Sequence, residues 1–304
     1  MKKIVALVLA SLMVLSLAAC ASPAQQAAEA VEEAVAEAAV EEVAEEAYAQ
    51  GAEDAVEAVA EVAEAAEELG YTKFIMGIDP EYPPFSYLGD DGEYTGFDVE
   101  VCKAACEKLG IEFEVFGVNW DEKLVQLDSN ECDCVWSGMT ILDSMKEAGY
   151  VLSAPYYDNT QVILVKKDSG IASSADLAGK AVAVQLGTSG EALLNGDLAD
   201  LTATFGNLVT CDSFLKCFTE LDGNAVDAVF VDAPVAKAYA EGKDDYVIID
   251  EGLGAEQYGI AFRADDQALC DAIEGAVAEL VADGTYAKIA DNYPDIKNNL
   301  LFLQ

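Results

Sequence analysis

The sequence predicts an α/β protein of two lobes joined by two crossing strands, and three observations carry that prediction. From Tyr71 onward, short runs of strand character alternate with stretches of helical period, the pattern of parallel sheets with crossover helices. The alternation restarts after VILVKK (162–167), and AVDAVFV (225–231) reads as a strand buried on both faces. After the glycine-rich crossing EGLGAEQYG (251–259), one more strand and two helices bring the chain back to the first unit.

Taken in order, residues 73–78 read as a strand and 98–109 as an amphipathic helix that stops at Gly110. A second strand covers 112–118, a helix 121–127, and a third strand 132–136, followed by the polar turn SGMTILDS. The second unit has strands at 181–185, 203–205, 225–231 and 247–250, with helices at 189–194, 214–221 and 233–240. The strand 260–263 and the closing helices belong to the return. Lobe 1 is therefore residues 71–160 with 252–304, and lobe 2 is 161–251. A cleft between two such lobes is a usual place for a small ligand.

The first 70 residues are of another kind. MKKIVALVLASLMVLSLAAC joins Lys2 and Lys3 to an apolar run and small residues, the build of a secretion signal at 1–20. That run is short for a membrane span. Leu17-Ala18-Ala19-Cys20 resembles a bacterial lipobox, which implies cleavage before Cys20 and lipidation of it; the bland alternative is an ordinary signal peptide that contains a cysteine. Residues 21–70 are rich in Ala, Glu and Val, with fifteen acidic residues and no Lys or Arg. Alanine and glutamate favour helix while unrelieved like charges repel, so this segment reads as a solvated tether, with a coiled-coil role left open.

The net charge is −41, and without the signal and tether the body still carries 14 basic against 42 acidic residues. Such a surface repels nucleic acid and mildly steers cationic solutes. Besides Cys20 there are seven cysteines, an odd number, and there is no histidine. Cys102 and Cys106 share a helix face, and Cys132 and Cys134 alternate with Asp133 on a strand and should face one way. Core use as small apolar thiols is the plainer reading, with one or two disulfides open, and neither a metal site nor a cofactor is expected.

Seven segments together resemble the extracytoplasmic solute-binding proteins of polar amino-acid ABC transporters, family 3 type. They are GIDPEYPPFSY (77–87), DGEYTGFDVEV (91–101), CDCVWSGMTI (132–141), SAPYYDN (153–159), DLAGKAVAVQLGTSGE (176–191), VDAVFVD (226–232) and ADGTYAKIADNY (282–293). The resemblance implies two Rossmann-like lobes of the periplasmic-binding-protein type II, closing on ligand by hinge bending. It further implies capture of a polar amino acid outside the cell for delivery to a membrane permease, with the lipid on Cys20 holding the protein to the membrane.

A free amino acid must have both charges met if it is to be buried. Asp232, at the end of an apolar strand, takes the α-amino group by resemblance; capping of the following helix is the alternative, and the two are compatible. Gly187, Thr188 and Ser189 lie where a strand meets a helix start and offer N–H groups to the carboxylate, or else simply cap that helix through Ser189. Ser137, Gly138 and Thr140 offer hydroxyl and backbone donors from the facing lobe. Asp79, Tyr82, Phe85 and Trp120 are expected to select the ligand's side chain, with Phe85 equally readable as core. The family's carboxylate-gripping arginine is missing, for the only arginine is Arg263. Direct alignment puts Met145 in its place, and one inserted residue puts Lys146 there. Lys146 either clamps the carboxylate as a point charge or sits on a solvated helix surface.

Related folds host dehydratases and transglycosylases, but without histidine, and without a Ser or Cys followed by a recognisable base, no catalytic set stands out. The remaining alternatives are a sensor ectodomain and a structural envelope lipoprotein.

Overall fold

The computed structural model describes residues 71–304, all inside one compact unit, Glu61–Gln304. The signal segment, Cys20 and the acidic tether lie outside the described residues. The chain starts with β1 (Lys73–Ile78) and a small antiparallel sheet of β2 (Glu81–Tyr82), β3 (Ser86–Leu88) and β4 (Tyr94–Thr95). Then come α1 (Phe97–Leu109), β5 (Glu112–Gly117), a 3-10 turn Trp120–Glu122, α2 (Lys123–Asp128), β6 (Cys134–Thr140), α3 (Asp143–Glu147) and β7 (Val151–Leu152). β8 (Tyr157–Lys166) leads to β9 (Ala181–Gln185), α4 (Ser189–Asn195), α5 (Ala199–Thr202) and β10 (Asn207–Cys211). α6 (Phe214–Asp222), β11 (Ala228–Asp232), α7 (Ala233–Ala240) and β12 (Tyr246–Ile249) follow. β13 (Ala255–Phe262) crosses back, and α8 (Gln267–Ala282), α9 (Thr285–Ala290) and α10 (Pro294–Lys297) finish the chain.

Strand order is β10-β9-β11-β8-β13-β6-β1-β5. β1 is parallel to β5 and β6, and β9 is parallel to β10 and β11, so each lobe has its own parallel set. The two sets meet only through β8 and β13. Residues 157–160 of β8 pair with 255–258 of β13, whereas 161–165 pair with β11. Each parallel set is covered on both faces, as such sheets require. In lobe 1, Phe74, Met76 and Ile78 of β1 point into the core that holds Val101, Cys102 and Leu109 of α1, while Ile75 packs with Trp120 and Leu127 on the other face. In lobe 2, α6 buries Phe214, Cys217, Phe218 and Leu221 at helical spacing and is capped by Ser213, whose hydroxyl accepts from Lys216 N–H.

Three expectations change, and the cysteine reading stands. The polar run Ser137–Thr140 is not a turn but the C-terminal half of β6, buried except at Thr140. Residues 203–205 are not a strand; the edge strand of lobe 2 is Asn207–Cys211, since residues 199–202 continue helically and use up the preceding stretch. Cys132 and Cys134 face opposite sides, because the strand begins only at Cys134 and Cys132 lies in the loop before it. The seven cysteines from Cys102 to Cys270 are buried free thiols, and they pack as small apolar residues.

Candidate functional site

Parallel strands end where their chain turns toward the cleft, so the C-terminal edges of β1, β6, β9 and β11 face one another across it. Tyr82, Trp120, Gly138, Thr140, Gly187, Thr188, Ser189 and Asp232 line this cleft, joined by Lys123, Met139, Leu142 and Met145. Eight of the residues expected from sequence are thereby brought together. The enclosed space is about 30 Å³, close to the volume of one water molecule, so the lobes must part to admit an amino acid. A larger cavity of about 280 Å³ lies elsewhere, walled by Phe97, Trp136, Tyr156 and Val277 of lobe 1. Lobe closure does not shape that cavity, and we do not take it for the site.

Direct hydrogen bonds hold the lobes together at the cleft. Gln185 Nε2 donates to Asp79 Oδ2 at 2.7 Å, Lys123 Nζ to the Gly187 carbonyl at 2.7 Å, and Thr140 Oγ1 to Ser189 Oγ at 3.1 Å. Gly187 itself, at φ 73°, lies so close to Asp121 that a Cβ on it would stand 2.5 Å from the Asp121 Cα. Thr188, not Ser189, caps α4: its Oγ1 accepts from Glu191 N–H, while the Gly187 N–H is taken by the Glu191 carboxylate.

Four expected residues do not line the cleft. Ser137 is fully buried inside lobe 1, where its Oγ meets Ser86 Oγ and accepts from Asp79 N–H; it holds Asp79 in place. Asp79 stands just behind the cleft wall, and burial raises its pKa against the pull of Gln185. Phe85 is core, stacked on the Tyr82 ring and edge-on to Tyr157 and Tyr258, because the turn through Pro83 and Pro84 sends it inward. Lys146 points away from the cleft on α3 and pairs with Asp143 at 3.2 Å, its side chain 57% exposed. Its neighbour Met145 faces in, since adjacent helix positions are about 100° apart. An exposed pair of this kind contributes little; Lys146→Ala should leave the affinity for amino acids within about twofold and stability within ~0.5 kcal/mol, as titration calorimetry and chemical denaturation will show.

Sequence reasoning missed three groups. Lys123 is the cation of the cleft: its Nζ rests 4.7 Å from the Trp120 ring centroid and also donates to the Trp120 carbonyl. Burial lowers its pKa to about 8, while Asp121, Asp79 and Glu191 push the other way. Asp98, in the first turn of α1, accepts from Gly138 N–H and from Tyr156 Oη, and so fixes β6 at the cleft; burial raises its pKa to about 7.

The third group follows from strand register. Asn159 stands opposite Glu256, Gln161 opposite Asp232, and Tyr157 opposite Tyr258. Because side chains alternate along β8, residues 157, 159 and 161 share one face, and so do their partners. Asn159 Nδ2 donates to Asp232 Oδ1 at 2.7 Å and to Glu256 Oε1 at 2.6 Å; Gln161 Nε2 does the same at 2.7 and 2.8 Å. Tyr258 Oη donates to Asp232 at 2.9 Å and lies 2.7 Å from Tyr82 Oη. Asp232 occupies the N-cap position of α7 but makes no capping bond; its carboxylate belongs to this network. Burial, then the charge of Glu256, raises the Asp232 pKa to about 8.

Among the described residues no group of three His, Cys, Asp or Glu is placed to hold a metal ion, and no helix is long and apolar enough to cross a membrane. Residues 74–295 match the model of the bacterial extracellular solute-binding proteins, family 3. The chain is 30% identical over 227 residues to the ABC transporter arginine-binding protein 1 of Escherichia coli (strain K12), covering 73% of this chain and 90% of that protein. It is 32% identical to the L-cystine-binding protein TcyJ of the same organism, covering 72% and 81%. A crystal structure of an ABC uptake transporter substrate-binding protein from Streptococcus pneumoniae with bound histidine superposes with a TM-score of 0.70 at 28% identity, over 73% of this chain and 92% of that one. These relatives are named as binding proteins, not as enzymes.

Proposed function

We propose, from the premise that the chain belongs to the bacterial extracellular solute-binding proteins of family 3, that it captures a polar amino acid between its lobes and delivers it to an ABC transporter permease. The observation that carries this reading is charge placement in the cleft, whose lining holds a buried carboxylate, Asp232, and a half-buried ammonium, Lys123. That is the complement of a zwitterion. The names of the relatives, which specify arginine and cystine, and the bound histidine in the pneumococcal structure support a polar amino acid as the solute.

In this reading the solute's ammonium meets Asp232, its carboxylate meets Lys123 beside the Gly187–Ser189 turn, and its side chain lies against Tyr82 and Trp120 toward Asp79. The lobes divide at 160/161 and 251/252, where β8 and near which β13 cross. Closure creates the surface that the permease reads. Outside the described residues, the LAAC stretch ending at Cys20 supports a lipid anchor; Cys20→Ser releasing the protein into the medium is the expected result, and retention in the membrane fraction contradicts it.

A thermal-shift screen of the twenty amino acids, ornithine and cystine tests the reading, because a ligand of the folded form alone raises the melting temperature. One or more hits are expected, and no hit overturns it. Lys123→Met should weaken binding of the best hit by roughly ten- to a hundredfold, the worth of a charge-assisted hydrogen bond. The same variant should leave binding of the decarboxylated amine unchanged, which calorimetry of both compounds checks.

A further inference from the structure

We infer that the ammonium group is received by Asp232 and Glu256 together, as a carboxylate pair that holds one proton before capture and releases it to solvent when the cation enters. The inference rests on the amino-acid reading above and adds to it a second acid and a proton.

The geometry comes from the crossing strands. Asp232 ends β11, Glu256 lies on β13, and the amide groups of Asn159 and Gln161 on β8 each donate to both. One Asp232 oxygen and one Glu256 oxygen are thus gathered on the same pair of nitrogens. Asp232 is buried beside this second carboxylate, so one proton stays on Asp232 before capture.

What else faces the pair decides whether anything already neutralises it. β13 adds the Tyr258 hydroxyl, β2 the Tyr82 hydroxyl, β8 the Tyr157 ring, and α4 the Ser189 hydroxyl near Gln161. All are neutral. Lys123 has Asp121, Asp79 and Glu191 as its charge partners rather than this pair. Two further acceptors lie in the same network: the carbonyl oxygens of Asn159 and Gln161 are buried and receive no donor. The network is thus short of one positive charge and of several N–H donors. A primary ammonium supplies one charge and three donors.

The exchange balances. A pair of charge −1 and an ammonium of charge +1 become a pair of charge −2 holding the ammonium, and one proton leaves for the solvent. Below about pH 8, where burial and Glu256 keep Asp232 protonated, each binding event expels a proton, and affinity rises with pH by up to tenfold per unit. Above that range the pair has already lost its proton, and Lys123, whose pKa burial lowers to about 8, loses its own, so the dependence turns downward.

Isothermal titration calorimetry of the full chain tests this directly. The best amino acid from the thermal-shift screen is titrated at pH 6.5 and at pH 9 in buffers of different ionisation enthalpy. About one proton released per ligand is expected at pH 6.5, and at pH 9 release should give way to uptake as Lys123 regains its proton on binding the carboxylate. Glu256→Gln should still bind, with less proton release and a shallower rise of affinity between pH 6 and 8, since burial of Asp232 remains. Wild-type binding without proton release at pH 6.5 overturns the inference and leaves the amino-acid reading standing. Unchanged release in Glu256→Gln overturns the role of Glu256. Failure of every amino acid to bind removes the reading itself.

Discussion

Replacing Asp232 by asparagine is expected to weaken amino-acid capture by roughly a hundred- to a thousandfold while the free protein stays folded and becomes more stable at pH 8. The first effect follows from removing the buried one of the two carboxylates that meet the ammonium, which costs about 3–5 kcal/mol, at ~1.4 kcal/mol per tenfold in affinity. The second follows from where the carboxyl sits. Its pKa is raised to about 8 in the fold, against an ordinary carboxylate value in the unfolded chain. Between those two values the folded state binds a proton that the unfolded state has lost. Stability therefore falls as pH climbs from about 4 to 8. Asp79 and Asp98, both raised by burial, act in the same direction, so the variant should flatten the slope without abolishing it. Melting temperatures from pH 5 to 8 for both proteins, beside calorimetric titrations, check the two halves separately. A variant that lost binding and also melted earlier at pH 8 would mean that Asp232 serves the fold more than the ligand.

Gly187→Ala should leave each lobe intact and keep the cleft from closing. At φ 73° an alanine is strained by about 1–2 kcal/mol. The larger obstacle is across the interface, where the new methyl would stand 2.5 Å from the Asp121 Cα and 2.9 Å from its Cβ. Backbone cannot step aside as a flexible side chain can, so the lobes must separate to relieve the contact. Affinity should drop by roughly tenfold or more, the equivalent of at least ~1.4 kcal/mol taken from the closed state. Small-angle X-ray scattering distinguishes this from a simple lost contact. With saturating amino acid the wild type contracts, and Gly187→Ala should keep the dimensions of its free form. Gly138→Ala makes a useful contrast, since its clash is with the Tyr82 ring inside lobe 1, and it should disturb that lobe whether or not ligand is present.

Much of the site was legible because it lies at strand ends. An apolar run that stops at a charged residue, as VDAVFVD does at Asp232, marks a parallel-sheet edge, and the same logic found Thr140 and the Gly187–Ser189 turn. Lys123 was not legible, since within EKLVQL it has the look of an exposed helix residue; only the folding of its side chain over Trp120 brings it into the cleft. Lys146 and Met145 were one residue apart in the alignment, and the rotation of a short helix decides between them. Asn159, Gln161 and Glu256 escaped notice for another reason. Each is unremarkable in its own strand, and only the pairing of β8 with β11 and β13 puts them beside Asp232. Register between strands far apart in sequence is set by tertiary packing, which composition and periodicity do not carry. The missing strand 207–211 has a similar cause: residues 203–205 carry β-type character, but helical capping of residues 199–202 consumes them first.

In the proposed reading the two lobes close to neutralise both poles of a zwitterion. Calorimetric titration of the tightest-binding amino acid, side by side with its N-acetyl and its decarboxylated derivatives, addresses that statement in one experiment. Each derivative has lost one charge, so each should bind at least a hundredfold more weakly than the parent. A derivative that bound as tightly as the parent would show that the charge it lacks is not recognised, and that the cleft is built for some other solute.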